Sequence, residues 1–158
     1  MAKIILVGKA GSGKDYLRKK FQKKGFVYAP SYTTRTPRSG EVDGLDYIFI
    51  SKKEFSDMAE KNEFIYSGKH DNEYYGTTFE QWELYDLFIS SPSSLQALDS
   101  KYLRSVFVIL RDIDKDESRK RMEDRKMPDD KIARRLRADE RDFRNFDIYD
   151  MKINGNIN

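Results

Sequence analysis

The apolar positions of this chain fall in short clusters set apart by charged or turn-forming residues. Ile4-Ile5-Leu6-Val7 is an uninterrupted apolar run and predicts a buried strand. The period then changes. Leu17 and Phe21 stand four apart among polar residues, which predicts a helix from about Lys14 to Lys23, with Gly25 as its C-cap. Phe26 to Ala29 predicts a second short strand, stopped by Pro30. Pro37, Gly40 and Gly44 mark turns ahead of a strand over 47–50. Ser51 and Glu54 have capping-box spacing and open a helix with Phe55, Met58 and Ala59 on one face, ending near Asn62. A strand over 63–67, a turn over 68–72, the segment Tyr74-Tyr75-Gly76-Thr77 and a helix from Thr77 through Tyr85 follow.

The second half returns to long alternation. Residues 86–90 predict a buried strand, and Ser91-Pro92 forms an N-cap and N1 pair opening a helix that carries Leu95 and Leu98. Residues 105–110 are apolar on both faces, as expected of an inner strand of a parallel sheet. Asp114 or Asp116 caps a charged helix ending around Lys126, residues 127–130 break it, and a last helix over 130–144 carries Ile132, Leu136 and Phe143. A strand over 149–153 closes the pattern. Strands and helices thus alternate at both ends around a short-stranded insert at about 31–82. The fold class is α/β, a parallel sheet with helices on both faces. Ligands of such sheets sit at the carboxyl ends of the strands.

Composition narrows the chemistry. The 158 residues suit one domain, with 36% charged and 38% hydrophobic residues. The net charge of +3 does not imply general nucleic-acid binding, although arginine is dense from Arg104 to Arg144. The absence of cysteine excludes disulfides, thiolate metal sites and cysteine nucleophiles, and the single histidine excludes a histidine metal cluster. The N-terminal apolar run is too short for a signal peptide and no run approaches membrane-spanning length, so the expected location is the cytoplasm.

The strand over 4–7 empties into Gly8-Lys9-Ala10-Gly11-Ser12-Gly13-Lys14-Asp15, the G-x-x-x-x-G-K spacing of a phosphate-binding loop. Backbone N–H groups of such a loop converge on an anion, the helix adds its positive end, and Lys14 adds a mobile charge. Asp15 stands where the motif has a metal-binding hydroxyl. It either holds Mg²⁺ through water or simply opens the helix. Arg35 and Arg38, fixed by Pro37, suit a second phosphate or a solvated loop equally. Tyr47, Tyr74 and Tyr75 read as strand aromatics or as phosphate-contacting hydroxyls. Arg121, Arg125, Arg134 and Arg135 flank Pro128 and form either a salt-bridged helical face or a lid over a transferring phosphoryl group. His70 carries no special expectation.

Taken together, these residues resemble the guanylate kinase family along nearly the whole chain. The most specific piece is Thr33 to Tyr47, similar to the family's T-T-R-x-P-R-x-G-E-x-x-G-x-D-Y, with Asn62 to Ile65 and Tyr74 to Thr77 also similar to family segments. The resemblance implies a core over 1–30, 83–120 and 136–158, a monophosphate-binding insert over 31–82 and a lid at about 121–135. It implies phosphoryl transfer from ATP to GMP or dGMP with Mg²⁺. By that analogy Gly8, Gly11, Ser12, Gly13, Lys14 and Asp15 hold the ATP phosphates, and Lys14, Arg121, Arg125 and Arg135 stabilise the transferring group. Arg35, Arg38, Tyr47 and Tyr75 hold the GMP phosphate, Ser31 and Thr77 approach the base, and Glu41 sits near the phosphates and metal. Four positions depart from the pattern. Asp15 replaces a hydroxyl, Tyr66 replaces a guanine-reading Glu, Ile89-Ser90-Ser91-Pro92 lacks an Asp-x-Asp pair, and the chain stops where the family usually continues into another helix. The alternatives are a kinase of the same fold for another monophosphate, and a binding module that has lost catalysis.

Overall fold

The computed structural model describes residues 2–155. Met1 and residues 156–158, which the division above counts in the core, lie outside the described residues. Four parallel strands form one sheet in the order β6-β1-β7-β8: β6 (Leu87–Ser90), β1 (Lys3–Gly8), β7 (Val106–Arg111) and β8 (Met151–Ile153). The alternation of β1 explains how both faces become buried. Ile5 and Val7 face one side with Phe88, Val106, Val108 and Leu110, where α3 (Phe79–Leu84), α4 (Pro92–Ala97) and α5 (Ser100–Leu103) contribute Trp82, Leu95 and Tyr102. Ile4 and Leu6 face the other with Leu87, Ile89 and Ile109, covered by Leu17 and Phe21 of α1 (Lys14–Lys23). A strand flanked on both sides and both faces reads as a continuous apolar run, because no face is left for polar residues.

A second sheet has the order β3-β2-β5-β4: β3 (Tyr47–Phe49), β2 (Ser31–Thr33), β5 (Glu73–Thr78) and β4 (Phe64–His70). Its outer face packs on α2 (Lys52–Glu60) through a stack of Phe55 on Phe64 with ring centroids 4.5 Å apart. Ser51 caps α2 with the full capping box its sequence spacing predicts. Two further helices, α6 (Lys115–Asp124) and α7 (Asp129–Asp142), meet through Met122, Ile132 and Leu136 on either side of the Pro128 break.

Several element boundaries correct the sequence reading. Residues 26–29 make only an isolated bridge, Tyr28 to Leu87, and the strand begins after Pro30, at Ser31. Strand β4 runs on through Gly68 and Lys69 to His70, so the predicted turn over 68–72 shrinks to Asp71 and Asn72, both with positive φ. Pairing with β5 overrides the turn preference of glycine there. The short helix α5 has no apolar periodicity of its own and went unread. The terminal strand is shorter than 149–153, beginning at Met151.

Candidate active site

The phosphate loop joins β1 to α1. Gly13 is the N-cap of α1 at φ 95°, a conformation that favours glycine, and no side chain caps the helix there. The first-turn N–H groups are therefore left for an anion. Lys14 Nζ donates to the Gly8 carbonyl at 2.5 Å. Burial lowers its pKa against the pull of Asp139 and Asp15, so an arriving phosphate favours the ammonium form. Ser12 Oγ is buried without a partner beneath the loop. Arg121 braces the loop from outside, donating to the Gly11 carbonyl at 2.8 Å and pairing with Glu117 at 3.1 Å.

Across the cleft stands a preassembled clamp. Arg35 donates both terminal nitrogens to Glu41, at 2.8 and 2.9 Å, and Glu41 also accepts the Arg38 N–H at 2.7 Å. Burial pushes the Glu41 carboxyl up, but these hydrogen bonds outweigh it and hold it below its ordinary value. The Arg35 guanidinium lies over the Tyr47 ring, 5.0 Å from its centroid, and Tyr47 meets Tyr75 edge-on at 6.1 Å. Burial, with Tyr75 beside it, pushes the Tyr47 hydroxyl up to about 12, so it serves as a neutral donor. Arg38 makes no ion pair among the described residues. Burial and the neighbouring Arg35 both lower its pKa, as expected of two like charges awaiting an anion.

The insert sheet shapes the cleft wall. Ser31 pairs with Tyr47, and Tyr66 with Thr77; the β2–β5 register continues to set Ser31 beside Thr77. One row therefore runs Tyr47, Ser31, Thr77, Tyr66 across the four strands. The β4–β5 register shifts between Phe64 and Tyr66. Gly68 stands where an added Cβ would lie 2.6 Å from Ser94 Oγ, which lets the serine-rich start of α4 pack directly against β4.

The helices close a third side. Arg125 and Arg135 line the cleft, the first exposed and the second buried. Asp71, at the β4–β5 turn, pairs with Arg134 at 2.9 Å and lies 3.8 Å from Arg135. His70 contacts Asp142 at 2.8 Å and lies 3.7 Å from Asp139, whose other oxygen accepts the Ala10 N–H of the phosphate loop at 3.0 Å. Thus α7 ties the tip of the insert to the loop.

One cleft gathers Gly8, Gly11, Ser12, Gly13, Lys14, Asp15, Ser31, Arg35, Arg38, Tyr47, Tyr66, Tyr75, Arg125 and Arg135. Glu41, Thr77 and Arg121 do not line it and stand behind residues that do. Tyr74 points to the outer face, against Phe55. The sequence reading missed Arg18, Asp71 and Asp139. Arg18 is buried, pairs with Asp46 at 3.0 Å and stacks on Tyr28 at 4.6 Å, anchoring the turn before Tyr47 to α1. A buried arginine on a charged helix has no periodic signature; only Asp46, beside Tyr47 in the Thr33–Tyr47 segment, hinted at it. Among the described residues, no three His, Cys, Asp or Glu side chains gather as a metal site. Asp15 is the carboxylate of the phosphate-loop segment that lines the cleft.

The family model described as guanylate kinase matches residues 1–157. A guanylate kinase of Aster yellows witches'-broom phytoplasma (strain AYWB) is 46% identical over 81 residues, covering 49% of this chain and 38% of that protein. One from Clostridioides difficile (strain 630) is 44% identical over 77 residues, covering 47% and 37%. The chain thus spans less than two fifths of the curated relatives it matches. The crystal structure of guanylate kinase from Anaplasma phagocytophilum superimposes with a TM-score of 0.74 at 20% identity, over 98% of this chain and 77% of that one, which shows a shared fold.

Proposed function

The chain belongs to the guanylate kinase family, and from that footing we propose that it transfers the γ-phosphoryl group of ATP to GMP or dGMP, giving ADP and the nucleoside diphosphate. One observation carries the proposal: a phosphate loop and an Arg35–Glu41–Arg38 clamp line or back the same cleft, so two anionic substrates meet end to end. A phosphate oxygen of the monophosphate attacks the γ-phosphorus, the bond to the β–γ bridging oxygen breaks, and ADP leaves. Nothing is oxidised or reduced, and no covalent intermediate with the protein is needed.

The division of labour follows from the geometry. The N-terminal amides of α1 and Lys14 receive the ATP phosphates. Arg35 donates two hydrogen bonds to one carboxylate, so it meets the acceptor phosphate with its orientation already set. Arg38, Tyr47 and Tyr75 complete that grip. Arg125 and Arg135 neutralise charge on the transferring group, which is where phosphoryl transfer gains most. Arg121 acts by holding the loop in shape. We assign the acceptor site to the insert over 31–82, the donor site to the core, and closure to a lid at about 121–135.

The residues present fit Mg²⁺ arriving with ATP. A magnesium ion usually keeps several waters and takes one or two carboxylates besides the phosphates, and Asp15 offers one from the first turn of α1. Bound there, it would shield the phosphate charges. The chain's small-molecule substrates would be ATP and GMP, and we place its work in the cytoplasm; among the described residues no helix is long and apolar enough to cross a membrane. A binding module has no need of both anion grips, so their joint presence favours an enzyme.

A coupled assay with ATP and a panel of ribo- and deoxynucleoside monophosphates tests the proposal. Turnover of GMP or dGMP is expected, and Lys14→Ala should lower kcat by about 10²- to 10³-fold. Binding of both nucleotides without ADP formation would favour the module instead.

A further inference from the structure

The cleft wall beyond the clamp is made of hydroxyl groups. Ser31, Tyr66, Ser90, Ser91 and Ser94 line it, with Thr77 directly behind. Tyr47 at one edge of the insert sheet and Tyr66 at the other are three strands, about 14 Å, apart. A monophosphate gripped at Arg35 and Tyr47 therefore extends its base toward Tyr66. That side chain is 4% exposed, and its hydroxyl sits among those of Thr77 and Ser90. Its ring packs edge-on against Trp82, so the side chain is held in place where it lines the cleft.

Among the described residues no side-chain carboxylate lines this wall. The acidic residues lining the cleft are Asp15, Asp71 and Glu73. The Asp15 side chain is 75% exposed. Asp71 and Glu73 belong to the hairpin tip, where Glu73 is four residues, about 13 Å, along β5 from Thr77. Glu73 is already bonded by the Thr34 hydroxyl.

This chemistry decides what the pocket can reject. A site excludes an analogue lacking an N–H donor when it holds an acceptor that the analogue leaves unpaired in a buried place. A hydroxyl both donates and accepts, and it can turn to a neighbour. The wall supplies such neighbours: Ser91 Oγ already lies 3.2 Å from Ser93 Oγ and 3.1 Å from Ser94 Oγ. Guanine and hypoxanthine differ only by the 2-amino group. Resting on the kinase reading, we propose that the hydroxyl wall centred on Tyr66 does not require that group, so that IMP and dIMP are phosphorylated alongside GMP and dGMP, with kcat/KM values within about tenfold. Tyr66 is then a specificity-determining residue, and what it determines is breadth.

The test is steady-state phosphorylation by the full chain with ATP and either GMP or IMP. Comparable kcat/KM values are expected. Tyr66→Glu should raise the GMP-to-IMP ratio by about tenfold or more, since a carboxylate accepts from paired N–H donors. Tyr66→Phe keeps the ring against Trp82 and loses only the hydroxyl, so it should lower kcat/KM for both substrates by the same factor. A wild-type preference for GMP of about a hundredfold or more overturns the inference while leaving the kinase reading intact. Turnover of neither monophosphate overturns both. If Tyr66→Glu does not fold, the wild-type ratio and Tyr66→Phe decide.

Discussion

Glu41 shows how much of the candidate site rests on a residue that does not itself line the cleft. Its carboxylate spans Arg35 and the Arg38 N–H, so it sets the angle of one guanidinium and the course of the turn carrying the other. Charge-assisted hydrogen bonds of this kind are worth about 1.5–3 kcal/mol each. Glu41→Gln should therefore raise KM for the monophosphate about tenfold or more with a smaller change in kcat, measurable by steady-state kinetics. It should also alter acid stability. The folded-state pKa of Glu41 lies below its ordinary value of 4.5. Its contribution to stability is thus complete above about 4.5 and is lost as pH falls through the folded value. Urea midpoints measured through that range should fall more steeply for the native chain than for Glu41→Gln; parallel curves would remove Glu41 from the clamp. At this scale the glycine-and-lysine spacing of Gly8 to Lys14 marked the loop by itself, whereas Arg35 to Tyr47 stood out only by resemblance to a family segment. The sequence was silent on Arg18 and Asp139, whose roles depend on partners 28 and 129 positions away.

At the scale of elements, the α7 helix is attached to the insert tip and to the phosphate loop as well as to α6. Arg134, Arg135 and Asp142 join it to the insert tip at Asp71 and His70; Asp139 joins it to the phosphate loop. His70, unremarkable in the sequence, sits on β4 because the strand runs longer than its glycine suggests. Asp71 is held in a tight turn at positive φ, which aims its carboxylate at two arginines. Asp71→Ala should loosen both elements it joins. Hydrogen exchange should quicken about fivefold in β4–β5 near the turn and in the first turns of α7, consistent with about 1 kcal/mol for a partly buried pair. Exchange unchanged in α7 would mean that the insert and the helix are held together by packing alone. The elements themselves were largely readable, since capping boxes, Pro128 and period changes are local signals. Where the reading slipped, at 26–33 and 68–72, partners elsewhere in the chain decided the outcome: β2 forms because β3 and β5 flank it.

The whole molecule sets the carboxyl ends of β1 and β6 and one face of the mixed sheet around a single cleft. The parallel sheet delivers the phosphate loop from β1 and the serines from the end of β6; the mixed sheet delivers the arginine clamp and Tyr66. The division into these parts was legible from the alternation of elements and its interruption. How α7 bridges them was not, because the pairs that do it join segments with no shared sequence pattern. The arrangement makes one demand on the chemistry. If donor and acceptor sites share a cleft closed by the arginines of α6 and α7, the phosphoryl group passes between nucleotides and is kept from water. Tracing ATP labelled at the γ-phosphate, in the presence of GMP, tests this directly. The label should appear in GDP, with little as inorganic phosphate. Label released only as inorganic phosphate, or left in ATP, would contradict it.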